Sequence, residues 1–103
     1  MDRIEKLKEF MASSPEDNFI RHALAMEYIK QGNDAEAQMM LENLLNTDEK
    51  YIGSYYHLAR LLERTGKKEE AIKWYEKGMQ MAKDAGDMHS FNELRAGYDD
   101  LIY

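Results

Sequence analysis

The chain contains no cysteine and a single proline among its 103 residues. Without cysteine there is no disulfide, no thiolate nucleophile and no Cys-ligated zinc or iron–sulfur centre, and the composition fits a reducing compartment. One proline and six glycines leave little material for long loops. β-branched residues are scarce, which argues against sheets. No apolar run approaches the roughly 20 residues that span a bilayer. The start, Met1-Asp2-Arg3-Ile4-Glu5-Lys6, has no apolar signal core. The expected setting is cytoplasmic, with no membrane partner. Basic residues are outnumbered, giving a formal net charge of −6. Nucleic acid is therefore not expected as a partner, because that binding draws on a positive surface.

What the chain does hold is helix-forming material. Hydrophobic residues make up 44% and charged residues 33%, the balance of a folded domain with one modest core. Ala, Leu, Met, Glu and Lys dominate, and these lose little side-chain freedom in a helix. Apolar spacing predicts an all-α fold of about six helices. The first runs from about Asp2 to Ala12, with Asp2 as its cap and Ile4, Leu7, Phe10 and Met11 on one face. Ser14-Pro15-Glu16-Asp17 reads as the start of the second, with Ser14 capping and Pro15 in the first turn. That helix reaches Lys30 and stops at Gln31-Gly32. Asn33 or Asp34 caps a third, to about Leu45. Asp48 is expected to cap a fourth, to about Arg64, which Gly66 closes. A fifth spans about Lys68 to Lys83, and Ala85-Gly86-Asp87 separates it from a sixth. Short connections make consecutive helices antiparallel neighbours.

An offset of 34 residues brings the chain into register with itself. Leu24 meets Leu58, Ala25 meets Ala59, Gly32 meets Gly66, Glu36 meets Glu70, Ala37 meets Ala71 and Glu42 meets Glu76. The matches fall on the small residues and the turn, where two helices must approach closely. A period of this length is the mark of a stacked array.

On these residues the chain resembles the tetratricopeptide repeat family. The second unit shows Tyr55, Leu58-Ala59, Leu62, Gly66, Ala71 and Tyr75; the first shows Leu24-Ala25, Tyr28, Gly32, Ala37 and Leu41. Residues 66–76 are a close match to that family's turn and second helix. Arg21 stands where a large apolar residue is usual, and Glu49 and Lys83 stand where a repeat-ending proline is usual. The resemblance implies antiparallel helix pairs stacked as a short right-handed superhelix. Its expected parts are a leading half-repeat helix (1–14), two repeats (15–50 and 51–85) and a C-terminal capping helix (86–103). Met88, Phe91, Leu94, Tyr98, Leu101 and Ile102 form the apolar face of that last helix. With charged outer faces on both end helices, the chain reads as a finished module.

No nucleophile-elbow, phosphate-loop, dinucleotide-loop or calcium-loop spacing is present. His22, His57 and His89 are too few for a metal centre. No catalytic, cofactor-binding or metal-binding set is therefore expected. Glu36, Glu42, Asp48 and Glu49 read as a solvated face, and Met39, Met40, Met79 and Met81 as packing residues.

In the family the first helices of the pairs line a concave groove that binds a partner peptide. Position by position, that groove would hold Phe19, His22, Met26 and Lys30 from the first repeat, and Tyr56, His57, Arg60 and Arg64 from the second. Tyr56, Arg60 and Arg64 recur at four-residue steps on one face. A cationic stripe on an acidic chain suits an acidic peptide or a C-terminal carboxylate. His22 and Met26 occupy clamp positions of the chaperone-binding members, and His57 replaces an Asn, so heat-shock chaperone tails are disfavoured. The expected role is a protein-interaction adaptor. The alternative is a self-associating homodimer, with Tyr51, Tyr55, Tyr75 and Tyr103 at its face.

Overall fold

A computed structural model describes residues 2–103 of the chain. Six helices follow one another: α1 (Arg3–Ser13), α2 (Asn18–Lys30), α3 (Asp34–Thr47), α4 (Gly53–Arg64), α5 (Lys68–Asp84) and α6 (Met88–Ile102). Each packs antiparallel against the next, and α6 also lies against α4. Stacking in series gives an elongated body of 43 × 29 × 19 Å. No described helix is long and apolar enough to cross a membrane.

Local chemistry sets most boundaries. Asp2 accepts from the Glu5 N–H at 2.8 Å, as expected. The start of α2 differs from expectation. The Ser14 N–H donates back to the Phe10 carbonyl at 2.9 Å, so Ser14 ends α1 rather than opening α2. Its own carbonyl accepts from the Asp17 N–H at 3.1 Å, which closes a turn with Pro15 in the position its fixed φ favours. Asp17 is the cap, its carboxylate accepting from the Phe19 and Ile20 N–H groups at 3.0 and 3.3 Å. Asp48 likewise closes α3 and does not cap α4, which begins at Gly53 without a side-chain cap. The Asp48 carboxylate instead accepts from Asn18 Nδ2 at 2.9 Å, tying the end of α3 to the start of α2. It is therefore half-buried rather than part of a solvated face.

The turn glycines behave as the sequence predicts. Gly32 and Gly66 have φ of 79° and 81°. At each, the glycine's own N–H and the next one reach back to the last turn. Around Gly66 these are Gly66 N to Glu63 O at 3.1 Å and Lys67 N to Leu62 O at 2.8 Å. Gly66→Ala is expected to lower stability by about 1 kcal/mol, because a Cβ is strained at that φ. Gly53→Ala, in open space at the start of α4, should raise it by roughly 0.5 kcal/mol. Urea unfolding midpoints that rank the two variants the other way would contradict this account.

The core forms two clusters, bridged by the partly buried Ile29 and Met40. Ile4, Leu7, Leu24, Tyr28, Ala37 and Leu61 join α1, α2, α3 and α4. Leu41, Leu44, Leu45, Tyr55, Leu58, Leu62, Tyr75 and Leu94 fill the space from α3 to α6. Ala25, Ala37, Ala59 and Ala71, the small residues of the 34-residue register, are all fully buried. Met40, Met79 and Met81 pack against this core, but Met39 is 51% exposed. Phe10 (51%) and Met88 (53%) also leave the stripes assigned to them. They lie on the outermost helices, where no further helix covers the flank of the apolar face. Tyr55 and Tyr75 are fully buried, so neither belongs to a dimer face; Tyr103 is exposed.

Candidate functional site

The first helices of the two pairs, α2 and α4, bring several of the expected residues together. His22 projects from the second turn of α2 toward α4. Its ring centroid lies 5.4 Å from that of His57. His57 in turn meets Tyr56 edge-on at 5.9 Å. On the other side His22 is 5.9 Å from Tyr51, in the connection between α3 and α4. The result is a row of four rings, Tyr51–His22–His57–Tyr56, laid across the junction of the helix pairs.

A buried hydroxyl anchors the row. Ser54 is fully buried, and its Oγ lies 2.7 Å from His22 Nδ1. The pairing that satisfies a buried hydroxyl has the O–H donating into Nδ1, with the ring hydrogen on Nε2. Both histidines are held below the ordinary imidazole range. For His22 the causes are burial and then the neighbouring His57. For His57, packing around the ring favours the neutral form, and Glu93 on α6 opposes it. At neutral pH the row is therefore uncharged.

At one end of the row, Phe19, His22, Lys50, Tyr51, Ile52 and Gly53 surround a shallow cavity of about 350 Å³. Phe19 is 72% exposed at its rim. At the other end stands Arg60, one turn beyond Tyr56. Its guanidinium is 3.8 Å from the Glu63 carboxylate and half-exposed. That carboxylate already accepts from the buried Tyr75 hydroxyl, so Arg60 is loosely held.

Arg64 is placed differently. It makes a 2.7 Å ion pair with Asp34 at the start of α3. The second Asp34 oxygen is buried without a partner, so this pair fastens one helix pair to the next. Met26 is half-buried and packs on the core, and Lys30 is exposed at the end of α2. The cationic stripe expected from Arg60 and Arg64 thus reduces to Arg60, joined by Lys50 from the connection.

Sequence reasoning did not assign Ser54, Lys50 and Glu93 to this face. Ser54 carried a signal: it is a polar residue four positions before Leu58, on the buried stripe of α4. Lys50 and Glu93 carried none, since their places depend on how the helices stack.

The two buried phenols beneath this region are structural. The Tyr55 hydroxyl donates to the Glu49 carbonyl at 2.6 Å, and burial, followed by Glu49 and Asp48, pushes its pKa up to about 12. Tyr75 is raised further by burial and its bond to Glu63. Among the described residues no three His, Cys, Asp or Glu side chains converge on a possible metal position.

A larger hollow of about 570 Å³ lies between α1, α2 and α3, lined by Met11, Leu24, Tyr28, Met39 and Met40. Its cations are already engaged. Lys8 sits over the Tyr28 ring, and Arg21 reaches Asn18 and Thr47. The α2–α4 face is the better candidate because its polar groups remain available.

Comparison with known proteins bears on the whole chain. The family model described as tetratricopeptide repeat matches residues 52–84, which take in α4 and α5. A tetratricopeptide repeat domain protein from Salinibacter ruber, solved in solution by NMR, is 37% identical. The alignment covers 86% of this chain and 90% of that one, with a TM-score of 0.82. A protein from Bordetella parapertussis is 23% identical over 98% of this chain and 88% of its own, with a TM-score of 0.84. The MamA protein superposes with a TM-score of 0.73 at 19% identity, over 96% of this chain and 56% of its own. At those two lower identities the likeness is one of fold. No curated protein matches the chain.

Proposed function

Because the chain belongs to the tetratricopeptide repeat family, a fold that mediates contacts between proteins, we propose that it is an adaptor binding a segment of a partner protein. The segment lies along the face of α2 and α4 and carries acidic side chains or a C-terminal carboxylate. The observation that supports this most is the ring row, with the loosely held Arg60 at one end and Lys50 at the other. Flat rings give apolar contact area at low entropic cost, and available cations fix the orientation of a carboxylate. Phe19, His22, Tyr56, His57 and Arg60 make the contacts in this reading. Met26 and Lys30 border them, and Arg64 acts through its bond to Asp34. The chain performs no chemistry of its own and works in the cytoplasm. Residues 15–50 and 51–85 are its two repeats, with 1–14 the leading half-repeat and 86–103 the C-terminal cap.

A Tyr56→Ala/Arg60→Glu variant tests the face. Arg60 is exposed and Tyr56 half-buried, so the expected stability loss is within about 1 kcal/mol. Captured partners should fall at least about tenfold relative to wild type, as loss of a hot-spot pair implies. Identical capture by a folded variant would remove this face from consideration.

Self-association is the second reading. The exposed Phe10 on α1 favours it, as does the exposed Met39, which lines the hollow between α1, α2 and α3. Static light scattering that returns a concentration-independent monomer would exclude it.

A further inference from the structure

We propose that the His22–His57 pair makes the α2–α4 face a pH-regulated receptor, closing on an acidic segment more tightly as the solution acidifies. This rests on the groove reading given above and adds its regulation.

The geometry is that of two imidazoles 5.4 Å apart between successive helix pairs, on the same face as Lys50 and Arg60. The groups that face them are few. His22, on α2, meets Ser54 and His57 of α4, and Tyr51 of the connection, behind which stand Asp17 and Asp48. His57 meets Tyr56 on its own helix and Glu93 from α6. One carboxylate thus approaches the pair from α6, and two more lie beyond Tyr51. A bound acidic segment would supply the missing anions.

The sign follows from the protonation states. Both imidazoles are held below their ordinary value of 6.5. They are neutral at pH 7.5 and take up protons only as the pH falls below 6.5 toward the lowered values. In the free chain that uptake is resisted by the half-buried setting of His22, by the atoms packed around the more exposed His57 and by mutual repulsion. An anion laid across both rings stabilises the charged pair and raises their proton affinity. Linkage then requires that protonation raise the affinity for the anion by the same factor. The Ser54 hydroxyl is the counterweight. It donates into His22 Nδ1 when the ring is neutral and must turn to accept when that nitrogen carries hydrogen. This keeps the pair neutral until a ligand or acid shifts it.

The probe is a fluorescein-labelled octa-aspartate peptide with a free C-terminus, titrated by fluorescence anisotropy at pH 7.5 and 5.5. Its carboxylates stay ionised over that range. Wild type should bind roughly fivefold tighter at pH 5.5, the gain that two added charges at an exposed face supply. His22→Gln/His57→Gln should lose that gain, read as the ratio of the affinities at the two pH values, whatever the loss of ring contacts does to each; the amide oxygen introduced at position 22 still accepts from Ser54. Arg60→Glu should weaken binding at both pH values. Equal gains in wild type and the double variant would overturn the regulation and leave the groove intact. No binding at either pH would overturn both. A second measurement needs no ligand: in the free chain the His22 and His57 Hε1 resonances should titrate below the ordinary imidazole value of 6.5. Titration of both at or above 6.5 would sink the proposal whatever the peptide does.

Discussion

Gly78→Val is expected to destabilise the chain by about 3 kcal/mol, the upper range for overpacking a close contact. A Cβ at Gly78 would lie 2.7 Å from the Tyr55 Cβ, 2.9 Å from its Cγ and 3.1 Å from Leu94 Cδ1. The Tyr55 atoms sit at the root of the side chain and move only with the α4 backbone. The ring above them is fully buried and its hydroxyl is bonded to the Glu49 carbonyl. Leu94 Cδ1 ends a flexible side chain and can turn aside, but Tyr55 Cβ cannot, so α5 must shift away from α4. In an exposed helix, exchange of glycine for a side-chain-bearing residue ordinarily gains a few tenths of a kcal/mol or more. The sign here is therefore diagnostic. For a domain of this size the loss is a large part of a total near 5–15 kcal/mol, and corresponds to a fall in Tm of roughly 12–20 °C. A Gly78→Val chain that melts at or above the wild-type temperature would show that α4 and α5 are further apart than described.

The second large effect is expected at Leu94. It is fully buried, and it shares its helix with one other buried residue, the side-chain-less Gly97. Phe91, Tyr98 and Leu101 pack around it but remain partly open. Leu94→Ala should cost about 3 kcal/mol, the middle of the range for a leucine truncated in a close-packed core. The loss should also be local in part. Amide exchange in α6 should accelerate before that of α2 and α3, because Leu94 is the main fastening of α6 to the stack. Uniform acceleration across all six helices would mean that the chain opens only as a single unit.

The two variants bracket what the amino-acid order makes legible. The helix pairs are legible because their determinants are local. Gly32 and Gly66 close helices with bonds that reach back three and five residues, and the alanines that admit close approach recur at the same register. The ring row was half visible: His22, Tyr56 and His57 follow from position in the repeat, while Tyr51 had been assigned to a dimer face. Gly78 was hidden because a helix-interior glycine carries no sign of what stands opposite. Phe10, Met39 and Met88 were misjudged because an apolar stripe fixes a direction and not whether a neighbour covers it.

By itself, the sequence determined six helices, their antiparallel pairing and the small residues at the crossings. Those rest on hydrogen bonds within a turn and on side-chain size. The tertiary structure decided which polar groups remain available for a partner. The contacts that settle this join residues nearly one repeat apart: Asn18 with Asp48 at a separation of 30, His22 with Ser54 at 32 and Arg64 with Asp34 at 30. The first forms as α2 and α3 pack together, and the other two exist only once one helix pair has stacked on the next. That stacking ties Arg64 to Asp34, leaves Arg60 half-exposed beside Tyr56, and sets His22 against His57.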